Sequence, residues 1–203
     1  NRLEIALNIP KDLLERAVYL ALVLHDLGKL DKRWQRWASY YQKLIQGREP
    51  GFLIAHTEWN PNSSLHKNLE EEARRKYPKP KTHAGESAEA GAKILWEAFG
   101  KTQRDLYKAT YTAIARHHSP RLDKTGEFEL HWETPCVLAE IFSRIGHRDW
   151  AEHLCQKREI EGKRKPERLL SPYPEDSLLR WWLYFILVRN LRLCDQISQQ
   201  KEK

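Results

Sequence analysis

Cysteine is scarce in this chain, and methionine is absent. The three cysteines, Cys136, Cys155 and Cys194, are an odd number and form no CxxC pair. This pattern indicates neither a disulfide framework nor a cysteine zinc site, and it fits a reducing cytoplasm. Because the chain begins at Asn1 and contains no methionine, we expect it to be a piece of a longer polypeptide.

Long apolar runs and ATP-binding loops are also missing. The most apolar stretch, LLRWWLYFILV at 178–188, is interrupted by Arg180 and is far shorter than the roughly 20 residues of a membrane span. It predicts a buried helix, and we expect no membrane partner. The sequence G-x-x-x-x-G-K-[ST] does not occur, so any ATP-driven unwinding would have to come from another domain or chain.

The chain does contain enough apolar material for one folded domain. Of its 203 residues 40% are hydrophobic, and eight are tryptophan, which argues against disorder. Lysine and arginine number 35 against 28 aspartates and glutamates, which gives a formal net charge of +7. This positive charge is compatible with a polyanionic partner, but it does not require one.

The spacing of the apolar residues predicts an all-α fold in a single domain over 1–203. After Pro10, leucines and alanines recur at helical spacing. Thr82 is a suitable N-cap for a later helix that Gly100 would end. We find no alternating pattern of the kind that indicates a strand. The predicted helices cover 13–24, 31–45, 65–76, 83–99, 102–118, 134–146 and 176–198.

Histidines and aspartates that could bind metal occur in four separated places near these helices. Imidazole and carboxylate together suit Fe, Mn, Ni, Co or Zn, and an aspartate can bridge two ions. Two adjacent ions can stabilise both the attacking and the leaving oxygen of a phosphoryl displacement. Any one of these residues alone would more often be a helix cap or a surface residue, so the signal lies in the ordered set. The set is His25 with Asp26, then His83, then His117 with His118, and finally Asp195.

On these segments the chain resembles the HD-domain metal-dependent phosphohydrolase superfamily, most closely the HD nuclease domain of the CRISPR-associated type I helicase-nuclease. The resemblance implies a compact HD-domain helical bundle with a metal site among helix ends. It also implies that the chain is a fragment or subunit of a larger helicase-nuclease system. The matching segments are HDLGKLDKRWQRW at 25–37, THAGESA at 82–88, ARHHS at 115–119 and LRLCDQIS at 191–198.

Carried over to these positions, the resemblance implies a site for two divalent metal ions, drawn from Mn, Ni, Co, Fe or Mg. Asp26 would bridge the ions, with His25 and Asp195 on the first. Lys29 would contact a non-bridging oxygen of the scissile phosphate, so Asp26 and Lys29 are the expected catalytic residues. A water activated between the ions would be the nucleophile. The second ion would be held by His83, His117 and His118.

The chain departs from the family pattern at one point. The family has a histidine upstream of its HD pair, and the 24 residues before His25 contain none. Either the segment that carries it lies outside this chain, or another histidine replaces it; otherwise the first ion would be weakly held, and a one-metal enzyme becomes possible. The other histidines in the sequence are His56, His66, His131, His147 and His153.

Several arginines lie close in sequence to the expected ligands and are candidates for contacting the phosphate backbone without sequence specificity. The charged run at 157–168 is more simply explained as a solvated loop. Tryptophans at helical spacing are expected in the core, although an exposed tryptophan could stack on a base. The candidate arginines are Arg33, Arg36, Arg116 and Arg121, and the expected core tryptophans are Trp34, Trp37, Trp181 and Trp182.

These residues and the resemblance lead to three hypotheses about function. The first is a metal-dependent nuclease that cleaves single-stranded DNA in CRISPR interference, with a helicase domain or subunit and a CRISPR surveillance complex as partners. The second is a phosphohydrolase of a small nucleotide or cyclic dinucleotide, which a deep closed pocket would favour over an open basic groove. The third is an inactive HD module that binds nucleic acid, which the missing upstream histidine would favour.

Overall fold

The structure is a computed structural model that describes residues 2–80, 83–119, 122, 125–152, 159–160, 169–171 and 177–201. Most of the described residues are helical, which agrees with the predicted all-α class. A small antiparallel pair was not predicted: β1 (Phe128–Glu129) lies beside β2 (Glu159–Ile160). The proposed N-cap Thr82 and most of the charged run at 157–168 lie outside the described residues.

The helices follow the predicted segments closely, with a few differences. The helix predicted over 102–118 ends early, at Ala115, so His117 and His118 lie beyond its last turn. The segment 83–99 divides into a helix and a π-helical turn, Trp96–Gly100. The first helix and two short 3₁₀ turns, Leu27–Leu30 and Arg148–Ala151, were not predicted. The helices are α1 Arg2–Ala6, α2 Leu13–Leu24, α3 Lys32–Gln46, α4 Ser64–Lys76, α5 Ala84–Leu95, α6 Arg104–Ala115, α7 Thr134–Arg144 and α8 Leu178–Lys201.

The main core lies among α2, α5, α6 and α8. α5 is buried along almost its whole length, and its sequence AGESAEAGAKIL is rich in alanine and glycine. Small side chains allow neighbouring helices to approach closely: a Cβ on Gly91 would lie 3.0 Å from Leu24 of α2. This packing brings the end of α2, the start of α5 and the end of α6 into one region.

A second, smaller core lies between α3 and α4. The Trp37 and Tyr41 rings stack with their centroids 5.7 Å apart, and Ala73 of α4 packs in the same cluster. Trp34 and Trp37 are buried, as predicted. Asp31 caps α3 by accepting a hydrogen bond from the Arg33 backbone N–H at 2.7 Å.

The helix predicted at 178–188 is present, but only one of its faces is buried. One face of α8 is buried through Leu183, Leu187 and Leu191, but Trp182 is 55% exposed, contrary to its expected place in the core. An α-helix has 3.6 residues per turn, so a helix at the edge of a bundle buries only the stripe of side chains that faces its neighbours. None of the described helices has the length and apolarity that crossing a membrane requires.

Candidate metal centre

The candidate metal-binding side chains project from helix ends and from one face of α8. His25 and Asp26 follow the last residue of α2, and the His25 backbone N–H still donates to Ala21 O at 3.0 Å. His83 is the residue immediately before α5. Because the first and last turns of a helix leave backbone groups unpaired, polar side chains are tolerated at these positions even near a core.

Four of the predicted ligands form one compact group. Asp26 Oδ1 lies 3.2 Å from His83 Nε2, and His83 Nε2 lies 3.0 Å from His118 Nε2. Asp26, His83, His117 and His118 each offer a ligand atom, and these atoms all lie within 4.8 Å of one another. Ligands around a tetrahedral ion with bonds of about 2.1 Å lie about 3.4 Å apart. The group could therefore hold a metal ion.

Two buried atoms in this group test whether a cation fits. Among the described residues, buried His117 Nε2 has no hydrogen-bond partner, and buried Asp26 Oδ1 has only the 3.2 Å contact with His83 Nε2. His117 Nδ1 lies 2.6 Å from Ile114 O, so it carries the proton and leaves Nε2 with a free lone pair. An unpaired buried polar group costs about 1–3 kcal/mol. A cation would satisfy both atoms, so the residues fit a metal.

The remaining two predicted ligands lie on the other side of Asp26. His25 Nδ1 lies 2.8 Å from Leu22 O, which again leaves Nε2 as the free nitrogen. His25 Nε2 lies 3.4 Å from Asp26 Oδ2 and 4.0 Å from Asp195 Oδ1. The two oxygens of Asp26 thus face two different sets of ligands, as a bridging carboxylate requires. The presence of a second ion stays a prediction.

Lys29 completes this side of the centre. Its Nζ donates to Asp26 Oδ2 at 2.7 Å, from one turn further along the 3₁₀ segment. This contact with Asp26 was not predicted, and the expected contact of Lys29 with a non-bridging oxygen of the scissile phosphate stays a prediction.

The electrostatic environment favours the protonation states that metal binding needs. Burial acts to raise the pKa of Asp26, but His83, His25 and Lys29 outweigh it and hold the pKa well below its usual range. Burial lowers the pKa of His117 to about 3. The pKa of His118 is lowered by burial and then by its neighbour His83. An ionised carboxylate and neutral imidazoles are the forms that bind a metal.

Ser87 and Gly28 connect α5 to the turn that carries His25 and Asp26, which we call the HD turn. The sequence analysis assigned no role to either residue. Ser87 Oγ accepts a hydrogen bond from the Gly28 backbone N–H at 2.7 Å and donates to His83 O at 2.7 Å. A Cβ on Gly28 would lie only 2.3 Å from His83 O, so only glycine fits there. Gly28 is part of the HDLGK segment singled out in the sequence, but its close approach to His83 could not be predicted because the two residues are far apart in the chain.

Arg192 of α8 supports the His117–His118 turn in a similar way. Its Nε donates to His117 O at 2.8 Å, and its Nη2 donates to Arg116 O at 3.3 Å. Arg192 and Asp195 are three residues apart and so lie on one face of α8. α8 therefore contributes a candidate ligand, Asp195, and a residue, Arg192, that holds the turn carrying His117 and His118 by hydrogen bonds.

The four arginines proposed to contact nucleic acid have different surroundings. Arg33 pairs with Asp31 at 2.7 Å and also donates to Glu127 O, so its guanidinium is committed within the protein. Arg36 is exposed in a groove that also contains Lys32, Lys43 and Trp132. The Nε of Arg116 is buried without a hydrogen-bond partner among the described residues. Arg121 lies outside the described residues.

The described histidines outside the predicted ligand set have other surroundings. Tyr41 and the Asn60 backbone N–H hydrogen-bond to Nδ1 of His66, and the His147 ring stacks on Trp150. His131 Nδ1 lies 3.5 Å from Glu133. Within the described ranges, the compact ligand group includes none of these, nor His56. His153 lies outside the described residues.

Comparison with known proteins adds no assignment: no protein-family model, no curated protein and no solved structure matches the chain.

Replacing Asp26 by alanine should remove metal binding, because Asp26 is the one carboxylate in the compact group. We expect an affinity loss of at least about 100-fold, the upper end of what indirect perturbations of metal sites cause. Titration calorimetry with Mn²⁺ and elemental analysis would measure it. Glu71→Ala, which removes an exposed carboxylate on α4, is the control. Wild-type metal content in Asp26→Ala would refute the assignment.

Replacing Ser87 by alanine should weaken metal binding about 10- to 100-fold, because His83 and the HD turn would lose their shared hydrogen-bond partner. The folded protein should lose about 1–3 kcal/mol of unfolding free energy. Thermal unfolding and Mn²⁺ titration would separate the two effects. Ser143→Ala, at an exposed position of α7, should change neither. Unaltered metal affinity in folded Ser87→Ala would show that Ser87 does not position the ligands.

Proposed function

We propose that this chain is a metal-dependent phosphodiesterase of the HD type that cleaves single-stranded DNA. The observation that carries the proposal is the position of the Asp26 carboxylate, which faces His83 with one oxygen and His25 and Lys29 with the other. A divalent transition-metal ion held by the candidate ligands would supply Lewis-acid stabilisation of a phosphoryl oxygen and a water of lowered pKa.

Within the described ranges, Lys29 is the residue best placed to contact a substrate phosphate. Its Nζ lies against Asp26, and its side chain also lines the cavity beside His83 and His118. A lysine ammonium carries three donors and a fixed positive charge at neutral pH. Lys29 can therefore orient a phosphodiester next to Asp26 and offset the negative charge that develops during hydrolysis.

A nucleic-acid substrate is supported by charge. The chain has a formal net charge of +7, and the exposed Arg36 shares a groove with Lys32 and Lys43, which pair with Glu129 and Glu49. Contacts from such residues to phosphates give affinity that does not depend on sequence. This groove shares the residues Pro50, Phe52 and Leu53 with the cavity at the metal centre, so one strand could contact both.

A role in CRISPR interference is proposed from the resemblance of the HDLGK, THAGESA, ARHHS and LRLCDQIS segments to the HD nuclease family. In this proposal a helicase domain or subunit would deliver the displaced strand, since the chain has no G-x-x-x-x-G-K-[ST] loop. The surveillance complex would select the target.

A hydrolase of a small nucleotide is the second candidate, because the metal centre opens into a cavity with aromatic walls. The cavity has a volume of about 1190 Å³, which is above the range of roughly 300–1,000 Å³ that is usual for small ligands. Its size favours a longer substrate.

Cleavage of linear and circular single-stranded DNA with Mn²⁺ tests the proposed function. Lys29→Ala should lower kcat about 100-fold or more, because it removes charge stabilisation of the transition state, while Mn²⁺ affinity should change little. Lys101→Ala, which removes an exposed lysine that is paired with Glu97 and lies outside both the cavity and the groove, is the matched control. Equal losses of metal and of activity would make Lys29 a structural residue. Wild-type protein that cleaves neither substrate would refute the nuclease proposal.

A further inference from the structure

The cavity beside the metal centre has two chemically different walls. One part of its lining consists of His83, His118 and Lys29 of the centre. Another part, the aromatic wall, belongs to α3 and to the loop that joins it to α4, and its rings are those of Trp34, Trp37, Phe52 and Trp59. The cavity therefore places flat apolar surfaces next to a site that is suited to a phosphate.

Trp37 shows that the aromatic wall has an unsatisfied donor. Its side chain is only 1% exposed, and its indole Nε1 has no hydrogen-bond partner among the described residues. A buried N–H without an acceptor costs about 1–3 kcal/mol, and a native core usually avoids this. A ligand with a hydrogen-bond acceptor in the cavity could satisfy it.

Lys79 adds positive charge to the same wall. Its Nζ lies 3.9 Å from the centroid of the Trp37 ring and forms an ion pair with Glu70 Oε1 at 3.7 Å. Burial is the main cause that lowers the pKa of Lys79. Together with Lys29, it places two lysines around the cavity. A ligand with negative charge would be stabilised between them.

Trp59 and Phe52 lie at the cavity with large exposed surfaces. Trp59 is 42% exposed, although one side of its ring packs near Tyr41 with the centroids 6.4 Å apart. Phe52 is 78% exposed. Aromatic rings that are held on one side and open on the other are the surfaces on which bases of single strands stack.

We propose that this cavity binds the base of a nucleotide adjacent to the scissile phosphodiester, with Trp59 as the stacking surface and with Lys29 and Lys79 supplying positive charge. The proposal rests on the proposed function, and it names the substrate class as a strand whose bases are unpaired. Bases inside a duplex are stacked and paired with each other, so they cannot reach a protein ring without being extruded. The cavity would thus select single strands.

The shared chemistry of a flat base and a phosphate also occurs in a free nucleotide. We favour the strand because the cavity, at about 1190 Å³, has room for more than one nucleotide, and because it adjoins the groove that contains Arg36. Binding of thymidine monophosphate and of an oligothymidylate would distinguish the two sources.

The test measures binding in EDTA, so that it does not depend on catalysis. The probes are a fluorescent oligothymidylate and an abasic oligomer of equal length and charge. Wild-type protein should bind the oligothymidylate about tenfold more tightly, and Trp59→Ala should remove most of that preference while leaving the abasic oligomer unaffected. Trp182→Ala, which removes an exposed tryptophan of α8 outside the cavity, should alter neither affinity.

Phe52→Ala is the second variant, because Phe52 is more exposed than Trp59 and its loss should leave the fold intact. It should reduce the same preference in the same direction. Unchanged binding in both variants, or equal weakening for both probes, would overturn the base-binding cavity. Thymidine monophosphate that binds as tightly as the oligothymidylate would overturn the strand and leave a free nucleotide as the ligand.

Cleavage with Mn²⁺ separates this inference from the proposed function. If the inference holds, Trp59→Ala should raise KM for the oligothymidylate about tenfold and leave KM for the abasic oligomer unchanged. Wild-type protein that cleaves neither oligomer would refute the proposed function, and the binding measurements would still decide whether the cavity accepts a base. Active protein whose KM is insensitive to Trp59→Ala would refute the cavity alone.

Discussion

The contact between the HD turn and the start of α5 is the constraint on which the rest of the centre depends. Gly28 lies so close to His83 O that a Cβ would fall 2.3 Å from that oxygen, and Ser87 hydrogen-bonds to both segments. Asp26 and His83 therefore meet because two backbones touch, and not because their side chains attract each other. Because backbone contacts hold these segments together, the candidate ligands can keep their positions even when no cation balances the charge of Asp26.

Unsatisfied atoms are what distinguish this centre from an ordinary ion-pair cluster. In a structural cluster, buried polar atoms find partners, whereas within the described part of the chain His117 Nε2 has no hydrogen-bond partner and Asp26 Oδ1 has only the 3.2 Å contact with His83 Nε2. The hydrogen bonds of His25 and His117 to carbonyls of their own helices turn the free nitrogen of each ring towards the centre. The fold thus bears the cost of desolvation before any ion arrives, and a bound cation would recover that cost.

The sequence predicted the helical class and most helix bounds because these follow from local periodicity. It also singled out six ligand candidates: the structure groups four of them, places His25 beside Asp26, and places Asp195 4.0 Å from His25. It could not predict Ser87 or Arg192 as supports, since each acts through a backbone atom that is distant in the chain. The early end of α6 was missed because ARHHS can continue a helix by propensity, while the observed turn is held by Arg192 from α8.

The two cores have different roles: the main core positions the candidate ligands, and the smaller core lines the cavity. The main core fixes the ends of α2, α5 and α6, so the candidate ligands have little freedom. The smaller core of α3 and α4 presents aromatic rings to the cavity and leaves Trp59 half-open. The aromatic part of the cavity could therefore change without a change of ligand, because none of the candidate ligands belongs to α3 or to the loop that follows it. Chemistry and recognition are separable here because different elements carry them.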